Sequence, residues 1–363
     1  MTGKIALEEH FITPDLIEKV TGGLPDPPVW EAAKRRLLDL TDERLEDMDR
    51  AGIDLSLLSV TGPAVQGEID TAAAVRMARG KNDYLAEAIA GHRDRLGGLA
   101  AMAVQDPDAA AAELERAVTD LGFSGVLING FTDTPDPARA TYLDIPEIDV
   151  FWSTVERLDV PVYLHPRDPL ASQREIYRDQ EVLLGGAWAF GVETATHALR
   201  LITGGVFDRH PGVQVVLGHL GETLPYAIWR VQHRYDVTHR GVQLDKPLAQ
   251  YLTDNFYVTT SGFFDDAALR FTIDRMGVDR VLFSSDYPYE NMVTASRWLD
   301  KAPVSDSELL AISRLNAERL FKIIPPTAEP SPRATTTEPT ATTTRGSRRC
   351  SPVNIPCKVS HSR

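Results

Sequence analysis

A chain of 363 residues with 38 Lys+Arg, 52 Asp+Glu and two cysteines is long enough for two average domains or for one large α/β barrel. Its formal charge of −14 and isoelectric point near 5.1 repel phosphate backbones and anionic lipid, which argues against nucleic-acid and membrane-surface roles and in favour of small-molecule partners. The longest nearly apolar run, 96–104, falls far short of the roughly 20 residues of a membrane helix, and the acidic start MTGKIALEEH has no basic region ahead of an apolar one, so a cytoplasmic protein is expected.

In chain order the apolar periodicity predicts a strand over 4–7, a helix over 41–51, a strand over 54–60, a helix over 70–91, a strand over 97–103 and a helix over 107–121. Strands over 125–129 and 161–165 follow, then a helix over 187–203, a strand over 213–218, a helix over 222–234, strands over 256–260 and 280–284, and a helix over 306–321. Asp106-Pro107 and Asp306 supply N-cap chemistry, and Gly52 and Gly122 stand just past helix ends, where a positive φ is needed. Eight strand-helix units close naturally into a (β/α)8 barrel over residues 1–324. From 325 to 363 the chain is rich in Thr, Pro, Ser and Arg and almost free of large apolar residues, which predicts a disordered tail. Both cysteines, Cys350 and Cys357, lie in that tail, so the barrel has no thiol and its chemistry has to come from His, carboxylates and hydroxyls.

Side chains just past the C-terminal ends of barrel strands converge on one mouth. There the sequence places Glu8, Glu9 and His10, then Asn129, His165, His219, Thr260 with Ser261, and Asp286, which reads as a metal cup. Glu8 and His10 are separated by one residue, so on an extended chain they face one side and can share an ion while Glu9 faces the other; the alternative is an exposed acidic loop. His165, in VPVYLHP, is either a ligand or a hydrogen-bonded core imidazole. Asp286, in VLFSSDYP, closes a buried strand, where a lone carboxylate calls for a cation or a raised pKa; its other reading is a helix N-cap. His219 precedes Glu222 by three residues, so a helical turn gives either a catalytic dyad with a fixed imidazole tautomer or a capping interaction.

Arg230 suits an anionic substrate or a surface salt bridge, and Trp188, Phe190, Tyr287 and Tyr289 form an aromatic wall or pack the core. His197 is expected to pair with Glu193 along a helix, whereas His92, His210, His233 and His239 read as facing solvent. No G-x-G-x-x-G follows a strand, and no Walker A or G-x-S-x-G motif occurs.

Together KIALEEHF, VYLHPRDP, GHLGETLPYAIWR and FSSDYPYEN resemble the amidohydrolase superfamily and, within it, the aromatic acid decarboxylases of resorcylate (2,6-dihydroxybenzoate) type. The resemblance implies one divalent ion on Glu8, His10, His165 and Asp286, a catalytic dyad of His219 and Glu222, and Arg230 and Asn129 near the substrate. Hydrolytic members usually begin with H-x-H, and decarboxylases of the 2,3-dihydroxybenzoate and salicylate type commonly carry Ala at the place of His10, so Glu8 and His10 favour the resorcylate type. An N2O2 donor set points to Zn²⁺ or Mn²⁺ ahead of Mg²⁺. The expected reaction is reversible, non-oxidative decarboxylation of an ortho-hydroxybenzoate with Asp286 as proton donor and Trp188 and Tyr289 against the substrate. Competing expectations are a metal-dependent hydrolase of a lactone or cyclic amide, with Asp286 as general base, and a catalytically silent barrel without stoichiometric metal. Dimers or tetramers are implied, with the stretch 182–190 buried in a partner or in the pocket.

Overall fold

The computed structural model describes residues 3–17 and 27–323, so the tail expected over 325–363 lies outside the described residues. Eight parallel strands follow one another in sheet order as in sequence: β1 Lys4–Phe11, β2 Ile53–Val60, β3 Leu96–Ala100, β4 Gly125–Asn129, β5 Val162–His165, β6 Val215–Leu217, β7 Phe256–Thr259 and β8 Val281–Leu282. All eight residues of β1 and all five of β4 are buried, as expected of parallel strands covered on both faces. Inside the ring, Ile5, Leu7, Leu57, Leu99, Leu127, Tyr163, Val216, Tyr257 and Leu282 form one cluster to which every strand contributes, and this is the floor beneath the mouth. A larger apolar shell packs the helices against the outside of the sheet. Among the described residues no ladder joins β8 to β1; His10 N–H donates to Tyr287 O at 2.7 Å across that seam, and Glu8 N–H donates to Ser284 Oγ at 2.6 Å.

Most predicted elements are present, and the departures have local causes. The first strand runs on to Phe11, so Glu8 and His10 sit within β1 rather than after it, and Glu9 is fully buried instead of lying in an acidic loop. The helix expected from 70 spans Thr71–Ala88 and gives way to a tight turn at Ala90–His92. At the last helix the N-cap is Ser305 rather than Asp306, since Ser305 and Glu308 form a reciprocal capping box; a π turn at Ala311–Leu315 then divides the helix. Asp106 caps Pro107–Thr119 as expected, and Gly52 and Gly122 take φ of 67° and 70°. Pro27–Leu38, Asp149–Leu158, Leu248–Asn255, Asp266–Met276 and Met292–Leu299 are further helices, each at most 12 residues long. No helix of the described residues is long and apolar enough to cross a membrane.

Candidate metal centre and catalytic dyad

Period-two alternation along β1 turns Glu8 and His10 to one side, while β5 ends on His165 and the loop after β8 returns Asp286 to them. One donor atom from each of the four lies within 4.8 Å of the others. His165 Nε2 is 3.4 Å from Glu8 Oε1, and His10 Nε2 is 3.3 Å from Asp286 Oδ1. Donors held about 2.1 Å from one ion at tetrahedral angles stand about 3.4 Å apart, so these separations match a shared cation. Glu8 Oε1 and His10 Nε2 are buried and have no hydrogen-bond partner among the described residues, which also fits donors meant for a metal. Burial pushes Glu8 up to about 7 and, with the charge of His10 beside it, pushes His165 well below the usual imidazole value. An unprotonated imidazole is the form that binds a metal.

The ligands are themselves held. Tyr163, two residues before His165 on the inner face of β5, donates its hydroxyl to Glu8 Oε2 and lies 2.9 Å from Thr259 Oγ1. His10 Nδ1 lies 3.3 Å from Ser59 Oγ, which leaves Nε2 turned to the cup. Gly218 is crowded against the site: a Cβ there would stand 2.9 Å from Glu8 Oε2.

The dyad forms, but not by the helical turn expected. His219, Leu220, Gly221, Glu222 and Thr223 all have φ between 50° and 84°, a left-handed run, and the regular helix starts only at Leu224. Left-handed backbone costs about 1–2 kcal/mol at each non-glycine residue, so this turn concentrates strain at the site. It brings His219 Nδ1 to 2.7 Å from Glu222 Oε1 and His219 Nε2 to 3.6 Å from Asp286 Oδ2. Burial alone would lower the imidazole pKa, but the charge and hydrogen bond of Glu222, with Asp286 close by, outweigh it and hold His219 well above its usual value. For Asp286 burial acts upward, yet the imidazoles of His10 and His219 beside it prevail and keep the carboxyl below its usual range; the raised pKa considered from sequence is not what the surroundings produce. Asp286 therefore faces both the cup and the dyad.

The remaining sequence candidates are dispersed. Asn129 pairs in register with His165, is buried, donates to Val60 O at 3.3 Å and leaves its Oδ1 without a partner among the described residues. The Tyr289 ring lies 5.7 Å from that of His10, its hydroxyl 2.6 Å from Thr61 Oγ1, and burial raises it to about 12. Tyr287 belongs to the core, stacked 4.7 Å from the Arg44 guanidinium. Phe190 is half-buried, while Trp188 is 53% exposed at the N-terminal end of Ala189–Thr203, a helix whose Gly191 would place a Cβ 3.2 Å from Glu222 Oε2. Arg230 is exposed on Leu224–Val237 with no carboxylate partner among the described residues, so the surface salt bridge is not seen. Tyr163, Gly218 and Ser59 were missed; the VYLH spacing, which puts Tyr163 and His165 on one face, was the available signal for the first.

Two histidine expectations are corrected. His210 is buried, its Nε2 2.9 Å from Asp149 Oδ1, because the turn after Val206–Arg209 folds it under neighbouring carboxylates. His197 does not pair with Glu193, which instead accepts from the Tyr142 hydroxyl at 2.5 Å; His197 Nε2 accepts from Leu143 N–H at 3.0 Å. Burial, helped by Arg200, lowers His197 to about 3. The unfolded chain takes up this proton near pH 6.5 and the folded chain does not, so stability falls as pH drops from about 6.5 toward 3, by up to about 1.4 kcal/mol per pH unit. His197→Gln keeps an acceptor for Leu143 and should show a shallower fall between pH 6.5 and 4.5 in urea unfolding; an unchanged slope refutes this assignment.

An eight-stranded parallel β/α barrel with imidazoles and carboxylates gathered at its mouth has the architecture of a metal-dependent amidohydrolase. A family model described as Amidohydrolase matches residues 10–323, and the chain belongs to that family. It is 45% identical over 329 residues to the gamma-resorcylate decarboxylase of Rhizobium radiobacter, spanning 89% of this chain and 99% of that one. With that of Rhodococcus jostii strain RHA1 the identity is 46% over 329 residues, with the same shares covered. The dihydroxybenzoic acid decarboxylase structure from Polaromonas sp. JS666, solved with manganese and the inhibitor 2-nitroresorcinol, aligns with a TM-score of 0.86 at 45% identity, covering 89% of this chain and 97% of that one.

Proposed function

We propose that this chain is a metal-dependent carboxy-lyase that removes CO₂, without oxidation, from an ortho-hydroxybenzoate of resorcylate type. The carrying observation is the juxtaposition of the Glu8, His10, His165 and Asp286 cup with the His219–Glu222 dyad, on a fold shared with dihydroxybenzoate decarboxylases. Two imidazoles and two carboxylates suit Mn²⁺ or Zn²⁺ better than Mg²⁺, and manganese is the ion in the Polaromonas structure. When bound, such an ion supplies Lewis acidity and a template for the substrate carboxylate and its ortho oxygen.

The rest falls to the chain's own side chains. Asp286, ionised at rest, takes up a proton from the protonated His219 beside it and delivers it to the ring carbon that bears the carboxylate; a C–H bond forms, the C–C bond breaks, its electron pair restores the aromatic ring, and CO₂ leaves. His219, held by Glu222, polarises the phenol as an imidazolium; its Nε2, 3.6 Å from Asp286 Oδ2, supplies the proton that Asp286 passes to carbon, and His219 regains one from solvent. Asn129, with its free buried Oδ1, and Tyr289, beside His10, bound the ring. Arg230 and Trp188 contribute from the exposed rim. The reaction is in principle reversible. Exposure of Val182, Leu183 and Trp188 in the single chain supports a homo-oligomer, which sedimentation would refute by returning a mass of 40.0 kDa.

A panel of 2,6-, 2,3- and 2,4-dihydroxybenzoates and salicylate, followed by ultraviolet absorbance with and without added Mn²⁺ or Zn²⁺, tests the reading. The 2,6-isomer is expected to turn over fastest, with one CO₂ per substrate consumed. Inertness toward all four, alongside ring-opened acid from a lactone, would replace the lyase by a hydrolase.

A further inference from the structure

Glu9 is the carboxylate for which the chemistry above has no use. It points away from the cup, is 0% exposed, and accepts four hydrogen bonds from the loop that follows β8. Its Oε1 receives Ser284 Oγ at 3.0 Å and Ser285 N–H at 3.0 Å; its Oε2 receives Ser285 Oγ at 2.6 Å and Tyr287 N–H at 3.1 Å. Ser284 Oγ already accepts from Glu8 N–H at 2.6 Å and Leu7 N–H at 3.3 Å, so its own proton is directed to Glu9. Asp286 lies between two of the residues so bound, and it sits at φ of 72°, a conformation a non-glycine residue keeps only when its surroundings impose it. On the other side of the loop the buried Arg44 donates to His10 O at 2.6 Å and stacks on Tyr287.

We propose that Glu9 is the positioning residue for Asp286: by bonding the backbone amides on either side of it, the buried carboxylate holds the left-handed turn that aims Asp286 between His10 and His219. A carboxyl group suits the task because all four bonds need an acceptor, and its two oxygens can each accept two of them. The proposal deepens the metal-centre reading above and rests on it. Ser284 and Ser285 supply the hydroxyl half of the clasp, so the clasp can be weakened one bond at a time.

The test uses the full chain with Ser285→Ala and Glu9→Gln. Mn²⁺ affinity is measured by titration, with the free ion counted by electron paramagnetic resonance, beside kcat, KM and the thermal midpoint. Removing a group that orients a metal ligand typically costs about 10–100-fold in metal affinity or activity. Ser285→Ala is expected to fold, to bind Mn²⁺ about tenfold more weakly and to lose about tenfold in kcat at nearly constant KM. Glu9→Gln, which turns an amide donor toward the Ser285 and Tyr287 donors, should lose more. A folded Ser285→Ala whose Mn²⁺ affinity and kcat stay within threefold of the parent overturns the proposal, whether or not Glu9→Gln folds. The titration reads the site without turnover, so a parent chain that binds Mn²⁺ but releases no CO₂ would refute the decarboxylase reading and leave this one testable.

Discussion

Asp286→Asn is expected to lower kcat for CO₂ release by about a thousandfold or more, while the protein keeps its fold and part of its metal. The amide has nearly the volume of the carboxylate and retains one carbonyl oxygen toward His10, so the 3.3 Å contact with that imidazole can persist. What it loses is the ability to carry a proton to carbon, and with it the charge facing His219 at 3.6 Å. Elemental analysis of the variant separates two outcomes: inactive protein still holding metal assigns Asp286 to proton transfer, and inactive protein devoid of metal leaves it only a ligand. Activity within tenfold of the parent removes it from both roles.

Stripping the metal should be as severe. Glu8 and His10 are completely buried, and each presents to the cup a polar atom with no hydrogen-bond partner among the described residues. Chelator-treated protein is therefore expected to fall to background activity, to recover with one equivalent of Mn²⁺ or Zn²⁺, and to gain thermal stability as it does so. An ion at 1,000 times its dissociation constant adds about 4 kcal/mol to the native state. Metal-free protein that keeps half its turnover would dismiss the centre as catalytic.

Much of this centre was legible because metal ligands obey spacing rules. Glu8 and His10 announce themselves by period-two alternation, and His165 and Asp286 by ending apolar strands, so the four that meet in space were readable from strand ends alone. The dyad was readable as a pair but not as a shape: H-L-G-E scans as a helical turn, and only tertiary packing, with Gly221 pressed so that a Cβ would meet Val258 Cγ1 at 2.8 Å, drives the run left-handed. His197 and Glu193 failed for a related reason. Their i,i+4 spacing is sound for an isolated helix, but both face inward, where Leu143 and Tyr142 offer buried partners that outcompete a pair between them. Short helices such as Leu248–Asn255 were invisible because two turns contain too few apolar residues to define a period.

The seam between the first and last strands adds a dynamic consequence. Side-chain bonds from Glu9 and Ser284, beside the backbone bond from His10 N–H to Tyr287 O, take the place of a full ladder there, and the residues they join immediately flank Glu8, His10 and Asp286. Breathing motions that part the ring at this point also scatter the reactive groups. Amides near Ser285 and Tyr287 therefore report on both events at once, and loss of the ion should speed their exchange with deuterium more than that of the β4 amides on the far side of the ring.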